Sequence, residues 1–196
     1  MSEEKEVFFM SGNRKNTAAM GNIRLFGNTK VLVVSALFIA MSIVLGKLLA
    51  FNIGSSIRVS FENLPLLMAG VFFGPLVGAA VGIGADLIGC LIVGYAINPI
   101  ITLGAACIGF FSGLAAIILS GRKQIVRIAG SVAAAHITGS MLIKSIGLYL
   151  YFHTPFEVLI MRVPLYIGIG IVEGYILYLL LKNKAFSEQL ERVCRK

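Results

Sequence analysis

The stretch FNIGSSIRVSFENLPLLMAGVFFGP, residues 51–75, places charged and polar side chains directly before a short apolar run that ends at a glycine–proline pair. The apolar run covers residues 61–73, which is about 20 Å of helix at 1.5 Å per residue. In a bilayer with a hydrocarbon core about 30 Å thick, this helix cannot span alone. The loop at residues 51–58 is then predicted to dip into the protein, because irregular backbone at that depth must be buried or line a cavity.

The composition of the chain indicates an integral membrane protein. Of its 196 residues, 58% are hydrophobic and 13% are charged, with a mean hydropathy of +0.91, whereas soluble domains are roughly 45–50% apolar. We predict an all-α bundle of six transmembrane helices, with a short helix 2 and a ligand-covering loop between helices 1 and 2. The six apolar segments lie at roughly 30–50, 61–73, 76–96, 99–120, 125–152 and 157–181.

The distribution of charge predicts the orientation of the bundle. A net charge of +8 would suggest nucleic-acid binding in a soluble chain, but most lysines and arginines here lie in the two terminal segments and in the loop around Lys123. The positive-inside rule puts those segments in the cytoplasm, so we expect no nucleic-acid partner. The predicted organisation is a polar cytoplasmic tail at 1–29, a membrane domain at 30–182 and a basic cytoplasmic tail at 183–196.

The cations outside this cytoplasmic set are predicted in the outer half of the bundle. An ionisable residue in a spanning segment costs at least ~2.5–3.5 kcal/mol on insertion scales and usually faces a cavity or a partner. Two interpretations are open: the side chains extend to the outer headgroups, or they form an outward-opening site for an anionic ligand. The residues are Lys47, Arg58, Lys144 and Arg162.

The acidic residues suggest the shape of such a ligand. Glu62 lies at the outer mouth, and its role is left open, while Asp86 and Glu173 are placed near the middle of helices 3 and 6. Asp86 and Glu173 either neutralise the cations as buried pairs or accept hydrogen bonds from a nitrogen heterocycle. Cations towards the mouth and a deeper carboxylate suit an elongated ligand with acidic groups at one end.

The start of helix 2 is predicted from its polar residues. Pro65 fits the first turn, where its missing N–H costs nothing, and Ser60 or Asn63 is the expected N-cap. The helix N-terminus would present backbone N–H groups to an anion. The alternative is a short tilted helix covered by lipid.

Sequence motifs typical of enzymes are missing. There is no GxGxxG or Walker loop, no HExxH and no GxSxG, and neither the two histidines nor the three cysteines show metal-ligand spacing. We therefore expect no enzyme activity, no cofactor and no metal. His136 is expected to pack or to form hydrogen bonds inside the bundle, and active transport would need ions or partner proteins.

Three groups of residues resemble the substrate-binding S component of energy-coupling factor (ECF) vitamin transporters, and the folate-specific branch is the closest match. The resemblance covers about residues 30–182, although Asn98-Pro99-Ile100 departs from the family pattern of glycine after the proline. The groups are Ala36-xxx-Ala40, Arg58-Val-Ser60-Phe61 with Leu64-Pro65, and Gly74-Pro75-xx-Gly78-xxx-Gly82-xxx-Asp86.

The resemblance implies a bacterial cell-membrane protein that binds folate or a related vitamin from outside. It also implies a membrane T component, contacted by Ala36 and Ala40, two cytoplasmic ATPases, and a hinge for helix 2 at Gly74 and Pro75. The alternatives are an S component for another vitamin and a stand-alone ion-coupled permease, and the hydropathy shows no two-repeat pattern that would favour the permease. The expected substrate-binding residues are Lys47, Arg58, Ser60, Phe61, Glu62, Asp86, Asn98, Lys144 and Arg162.

Overall fold

The computed structural model describes residues 28–53 and 57–194, so the predicted N-terminal tail lies almost entirely outside the described residues. Among these described residues, five helices are long and apolar enough to cross a membrane, and a further apolar helix is shorter. The prediction of an all-α membrane bundle with a short second helix is confirmed. The helices are α1 (Thr29–Ile43, extended by the π-helical turn Val44–Leu48), α2 (Asn63–Phe73), α3 (Pro75–Val93), α4 (Pro99–Ile118), α5 (Gln124–Phe152) and α6 (Phe156–Lys182).

The six helices alternate in direction, so the start of α1 and the end of α6 lie at the same end of the bundle. We call this the proximal end. The opposite end, where α1 ends, α2 begins and α5 turns into α6, is the distal end. The segment that connects α1 to α2 lies at the distal end and contains the predicted ligand-covering loop at residues 51–58.

The loop between α1 and α2 contains a two-stranded antiparallel ribbon. Strand β1 (Phe51–Ile53) pairs with β2 (Ile57–Val59), with Phe51 opposite Val59. The prediction of irregular backbone is wrong here, because the two strands hydrogen-bond to each other and so satisfy backbone groups that would otherwise need water. Strand β2 lies against α6, so the ribbon reaches across the distal end.

The turn between α2 and α3 depends on one glycine. Gly74 has a φ of 93°, which L side chains rarely adopt, and its N–H donates to the carbonyl oxygen of Gly70 at 2.9 Å. Pro75 follows as the first residue of α3, where its missing N–H has no helical partner to lose. The residues proposed as a hinge therefore form a tight reversal at the proximal end.

Glycines let α2, α3 and α4 pack with their backbones in contact. A Cβ atom added at Gly78 would collide with the carbonyl oxygen of Gly109, and one added at Gly109 would collide with the backbone of Gly78. Gly82 faces the carbonyl oxygen of Ala105 in the same way. Small residues four apart permit this close approach, which is driven by van der Waals packing because lipid offers no hydrophobic contrast.

The C-terminal segment predicted as a basic tail forms a further helix, α7 (Lys184–Cys194), within the described part of the chain. Phe186, Leu190 and Val193 pack against the core, and the rings of Phe186 and Phe72 lie 5.6 Å apart. The Asn28 side-chain amide donates to the carbonyl oxygen of Val193 at 2.9 Å. The helix therefore covers the proximal end of α1 and α2 with one apolar face.

Candidate functional site

The polar residues singled out in the sequence gather in the distal half of the bundle. Lys47 lies in the last turn of α1, Asp86 in the distal half of α3, and Arg162 in the second turn of α6. Ser60 and Phe61 are half-buried just before α2. Arg58 belongs to strand β2, but its side chain lies outside the described residues.

The start of α2 differs from its predicted capping. The N-cap residue is Glu62, which makes no side-chain capping bond, so the prediction of Ser60 or Asn63 is wrong. Asn63 is the first helical residue and is buried, while Pro65 lies in the first turn as predicted. The Ser42 hydroxyl donates to the carbonyl oxygen of Glu62 at 2.7 Å and ties this turn to α1.

Lys144 and Glu62 form an ion pair between α5 and the start of α2. Lys144 Nζ donates to Glu62 Oε1 at 3.0 Å and to Asn63 Oδ1 at 3.4 Å. The lysine side chain is 8% exposed and the glutamate 30%. Lys144, which was predicted as a ligand cation, therefore pairs with Glu62. The buried partners considered in the sequence were Asp86 and Glu173.

The ion pair continues into a chain of buried polar contacts. Asn63 Nδ2 donates to Ser140 Oγ at 3.4 Å, and Ser140 Oγ lies 3.3 Å from His136 Nδ1. His136 Nε2 lies 2.7 Å from Glu173 Oε2 on α6. Both residues of that last pair are almost fully buried. A polar chain therefore runs from the distal end to the middle of the bundle, and His136 is hydrogen-bonded as expected.

The chain passes through an irregular part of α5. The helix is π-helical over His136–Ile143, directly before Lys144. Such π segments within α-helices are rare and occur frequently at functional sites. No feature of the local sequence predicted this irregularity, because it coincides with contacts to residues far away in the chain.

A second polar group connects α3 with the start of α4. Thr102 Oγ1 donates to Asp86 Oδ2 at 2.6 Å. Asn98 caps α4, since its Oδ1 accepts from the N–H groups of Ile100 and Ile101 at 3.0 and 3.4 Å. Its Nδ2 is buried and has no hydrogen-bond partner among the described residues. The group offers a carboxylate acceptor and an unused amide donor.

Two of the cations rest on aromatic rings. Lys47 Nζ lies 5.1 Å from the ring centroid of Tyr95, and the Arg162 guanidinium lies 5.2 Å from that of Tyr166. Arg162 also donates to the hydroxyls of Tyr166 and Ser145 at 3.0 and 3.4 Å. Within residues 28–53 and 57–194, neither cation has a carboxylate at ion-pair distance. Lys144 does have such a partner, in Glu62.

The distal half therefore combines two cations, an unused amide donor and a carboxylate at the end where the ribbon folds over. This arrangement can bind a small anion with a polar ring. Among the described side chains, no three His, Cys, Asp or Glu residues converge to hold a metal ion. Apart from these polar groups, Ala36 and Ala40 are exposed on the surface of α1, beside the exposed Leu37.

A six-helix membrane bundle with polar side chains in its distal half defines a multi-pass membrane protein. The family model described as "ECF transporter, substrate-specific component" matches residues 30–183. The chain belongs to this family of transporter subunits.

Solved structures share the fold. One is a crystal structure of FolT bound with folic acid, with a TM-score of 0.62 and 20% sequence identity, covering 78% of this chain and 92% of that one. Another is the S component of a bacterial ECF transporter, with a TM-score of 0.60 and 20% identity, covering 85% and 98%. A comparison with curated proteins found no matching sequence.

Proposed function

We propose that this chain is the folate-binding subunit of an ECF-type importer and takes up folate or a closely related vitamin at its distal end. The observation that carries the proposal is the coexistence, in that half of the bundle, of the Asp86–Asn98 group and two cations, Lys47 and Arg162, that form no ion pair with a described carboxylate. Folate has two carboxylates at one end and a pterin ring with N–H donors and acceptors at the other. The fold shared with a folate-bound FolT supports this ligand.

The proposed contacts assign each end of folate to a different part of the site. Lys47 and Arg162 attract the carboxylates, while Asp86 accepts from pterin N–H groups and the Asn98 amide donates to a ring acceptor. Lys144 is already neutralised by Glu62, so we assign it to holding α2 in place. Arg58, Ser60 and Phe61 precede α2 and remain proposed contacts from the ribbon side.

Folate titration of the purified protein tests this assignment. Hydrogen bonds to charged groups contribute about 1.5–3 kcal/mol, so Lys47→Met and Arg162→Met are each expected to weaken binding by about 10- to 150-fold. Lys30→Met is the matched control, because Lys30 is exposed at the proximal end, and should bind like the unmodified protein. If folate showed no saturable binding and another vitamin bound tightly, that vitamin would be the substrate in place of folate.

We further propose that α1 docks a membrane T component that carries two cytoplasmic ATPases. The support is the exposed Ala36 and Ala40, since small residues four apart let a second helix approach closely. Ala36→Arg should abolish vitamin uptake by cells and leave folate binding intact, whereas Ala36→Ser should preserve both. Normal uptake by Ala36→Arg would contradict the proposed docking surface.

The orientation with both termini in the cytoplasm is also a proposal, supported by the basic proximal end. A membrane-impermeant thiol reagent applied to intact cells should label a cysteine placed at Phe152 and spare one placed at Lys182. Uptake of folate into vesicles that contain only this chain would instead favour a stand-alone permease.

A further inference from the structure

A groove runs along the outer surface of the bundle between α5 and α6, beside the line where the two helices touch. It has a volume of about 610 Å³, and apolar side chains dominate its walls. On α5 the lining runs from Ile125 to Met141, and on α6 from Tyr166 to Tyr178. The lining residues on α5 all lie on the proximal side of Lys144, and Tyr166, which contacts Arg162, is where the groove meets the proposed vitamin site.

We propose that this groove binds an anionic phospholipid, with one acyl chain between α5 and α6 and the phosphate on basic residues at the proximal mouth. The span from Ile125 to Met141 is about 24 Å at 1.5 Å per residue. One leaflet of a bilayer is about 15 Å deep, whereas a spanning helix needs about 30 Å. The groove therefore accommodates an acyl chain and is too short for a whole partner helix.

The packing of α5 against α6 gives the height of the nearby basic residues relative to the groove. Val132 faces Gly170 and Gly174, with an added Cβ on either glycine 3.3 and 3.8 Å from the valine methyls. Lys123, the N-cap of α5, lies nine residues before Val132, and Lys182 lies eight residues beyond Gly174 on α6. These separations are about 13 and 12 Å along the antiparallel helices, so the two lysines end at nearly the same height.

The mouth has the charge that a phosphate requires. Arg122, Lys123 and Lys182 are exposed, and the described acidic side chain nearest to them in sequence is Glu188, on α7. Basic pockets between transmembrane helices bind anionic headgroups, at about 1 kcal/mol for each lysine or arginine near the surface. Tyr178 lines the groove one turn from Lys182, in the position that tyrosine favours at a membrane interface.

Native mass spectrometry of the detergent-solubilised protein tests the acyl-chain part of the site. Dioleoyl phosphatidylglycerol is titrated, with dioleoyl phosphatidylcholine for comparison. Gly174→Phe should fill the groove and lower phosphatidylglycerol binding at least tenfold, because the space beside Gly174 is open up to Val132. Gly168→Phe is the matched control, since Gly168 lies on α6 outside the groove with no atom within 4 Å of its added Cβ.

The headgroup part of the site is tested by Lys123→Gln combined with Lys182→Gln. The double variant should bind phosphatidylglycerol about thirtyfold more weakly, equivalent to about 2 kcal/mol, and should lose the preference over phosphatidylcholine. Lys30→Gln is the charge-matched control. Equal binding by Gly174→Phe and Gly168→Phe, or no headgroup preference in the unmodified protein, would overturn the proposal.

A partner helix as the true occupant would also overturn it. A photoreactive residue at Ile171, in the groove, should crosslink to lipid in the assembled transporter; crosslinking to another subunit is the contrary result. The melting temperatures of Gly174→Phe and Gly168→Phe are measured without added lipid. If the two are similar, Gly174→Phe is folded, and its weaker lipid binding is due to the filled groove.

Discussion

The first half of the bundle, meaning α2, α3 and α4, and the second half, meaning α5 and α6, are held together by different kinds of contact. Helices α2, α3 and α4 meet backbone to backbone at glycines, whereas α5 and α6 meet through the His136–Glu173 contact and leave a groove beside it. In an apolar 18-residue window of each helix, 22% of the residues are buried in α6, against 39% in α3, α4 and α5. Added side-chain volume should therefore be tolerated less where the backbones touch than beside the groove.

The largest expected effect is in the glycine-packed half. Gly109→Ala should lower stability by about 3 kcal/mol, at the upper end for overpacking, because its Cβ meets the backbone of Gly78 rather than a flexible side chain. Gly168→Ala, with open space around it, should raise stability by up to about 1 kcal/mol, because alanine has the higher helix propensity. Thermal unfolding in detergent measures both, and equal melting temperatures would contradict the backbone contact.

The next effect is at the ion pair that joins the two halves. Lys144→Met should cost about 2 kcal/mol, below the range for a fully buried pair, because the Glu62 side chain is 30% exposed. Adding Glu62→Gln should recover about 1 kcal/mol of that loss, since no charge is then left unpaired. A double-mutant cycle on unfolding free energies measures the coupling; strictly additive losses would show that the pair does not couple α5 to α2.

A smaller effect is expected inside the second half. Glu173→Leu should cost about 1.5 kcal/mol, because it leaves the buried ring nitrogen of His136 without its partner. Replacing both residues, His136→Leu with Glu173→Leu, should be close to neutral, as is common when a buried pair becomes apolar. If the double variant were less stable than the single one, the remainder of the polar chain would depend on His136.

The smallest effect belongs to the polar group at α3 and α4. Thr102→Val removes the hydroxyl that donates to Asp86 and should cost about 1 kcal/mol, a shift of about 2–4 °C in melting temperature. Thr138→Val is the matched control, because its hydroxyl bonds to the carbonyl oxygen of Ala134 in its own helix. Folate binding should weaken in the first variant alone, and unchanged binding would remove Asp86 from the proposed pterin contacts.

The sequence was sufficient to predict the membrane bundle. Six apolar runs, the 13-residue length of residues 61–73 and the position of Pro65 follow from local composition and spacing. They match the observed helices to within a few residues. Local pattern is enough for this part because the bilayer fixes the length and polarity of each spanning element.

The pairings within the site were not predictable in this way. Lys144 and Glu62 are separated by 82 residues, and Asn63 and Ser140 by 77, so no local signal distinguishes Glu62 from Asp86 as the lysine's partner. The prediction of Ser60 or Asn63 as the N-cap was wrong because the Asn63 amide points into the bundle, where its Nδ2 donates to Ser140 and its Oδ1 accepts from Lys144. The segment that forms α7 was predicted to be a tail from its charge alone, although the apolar Phe186, Leu190 and Val193 have helical spacing.

The shortness of α2 has a consequence for how membrane voltage acts on the protein. Its 11 residues span about 16 Å, so the polar start of the helix lies roughly halfway through a hydrocarbon core about 30 Å thick. In the proposed orientation, a doubly charged anion that reaches this depth from outside has already crossed part of the transmembrane potential. A full crossing costs about 2.3 kcal/mol per charge at 100 mV, so occupancy of the site should fall as the cell interior becomes more negative.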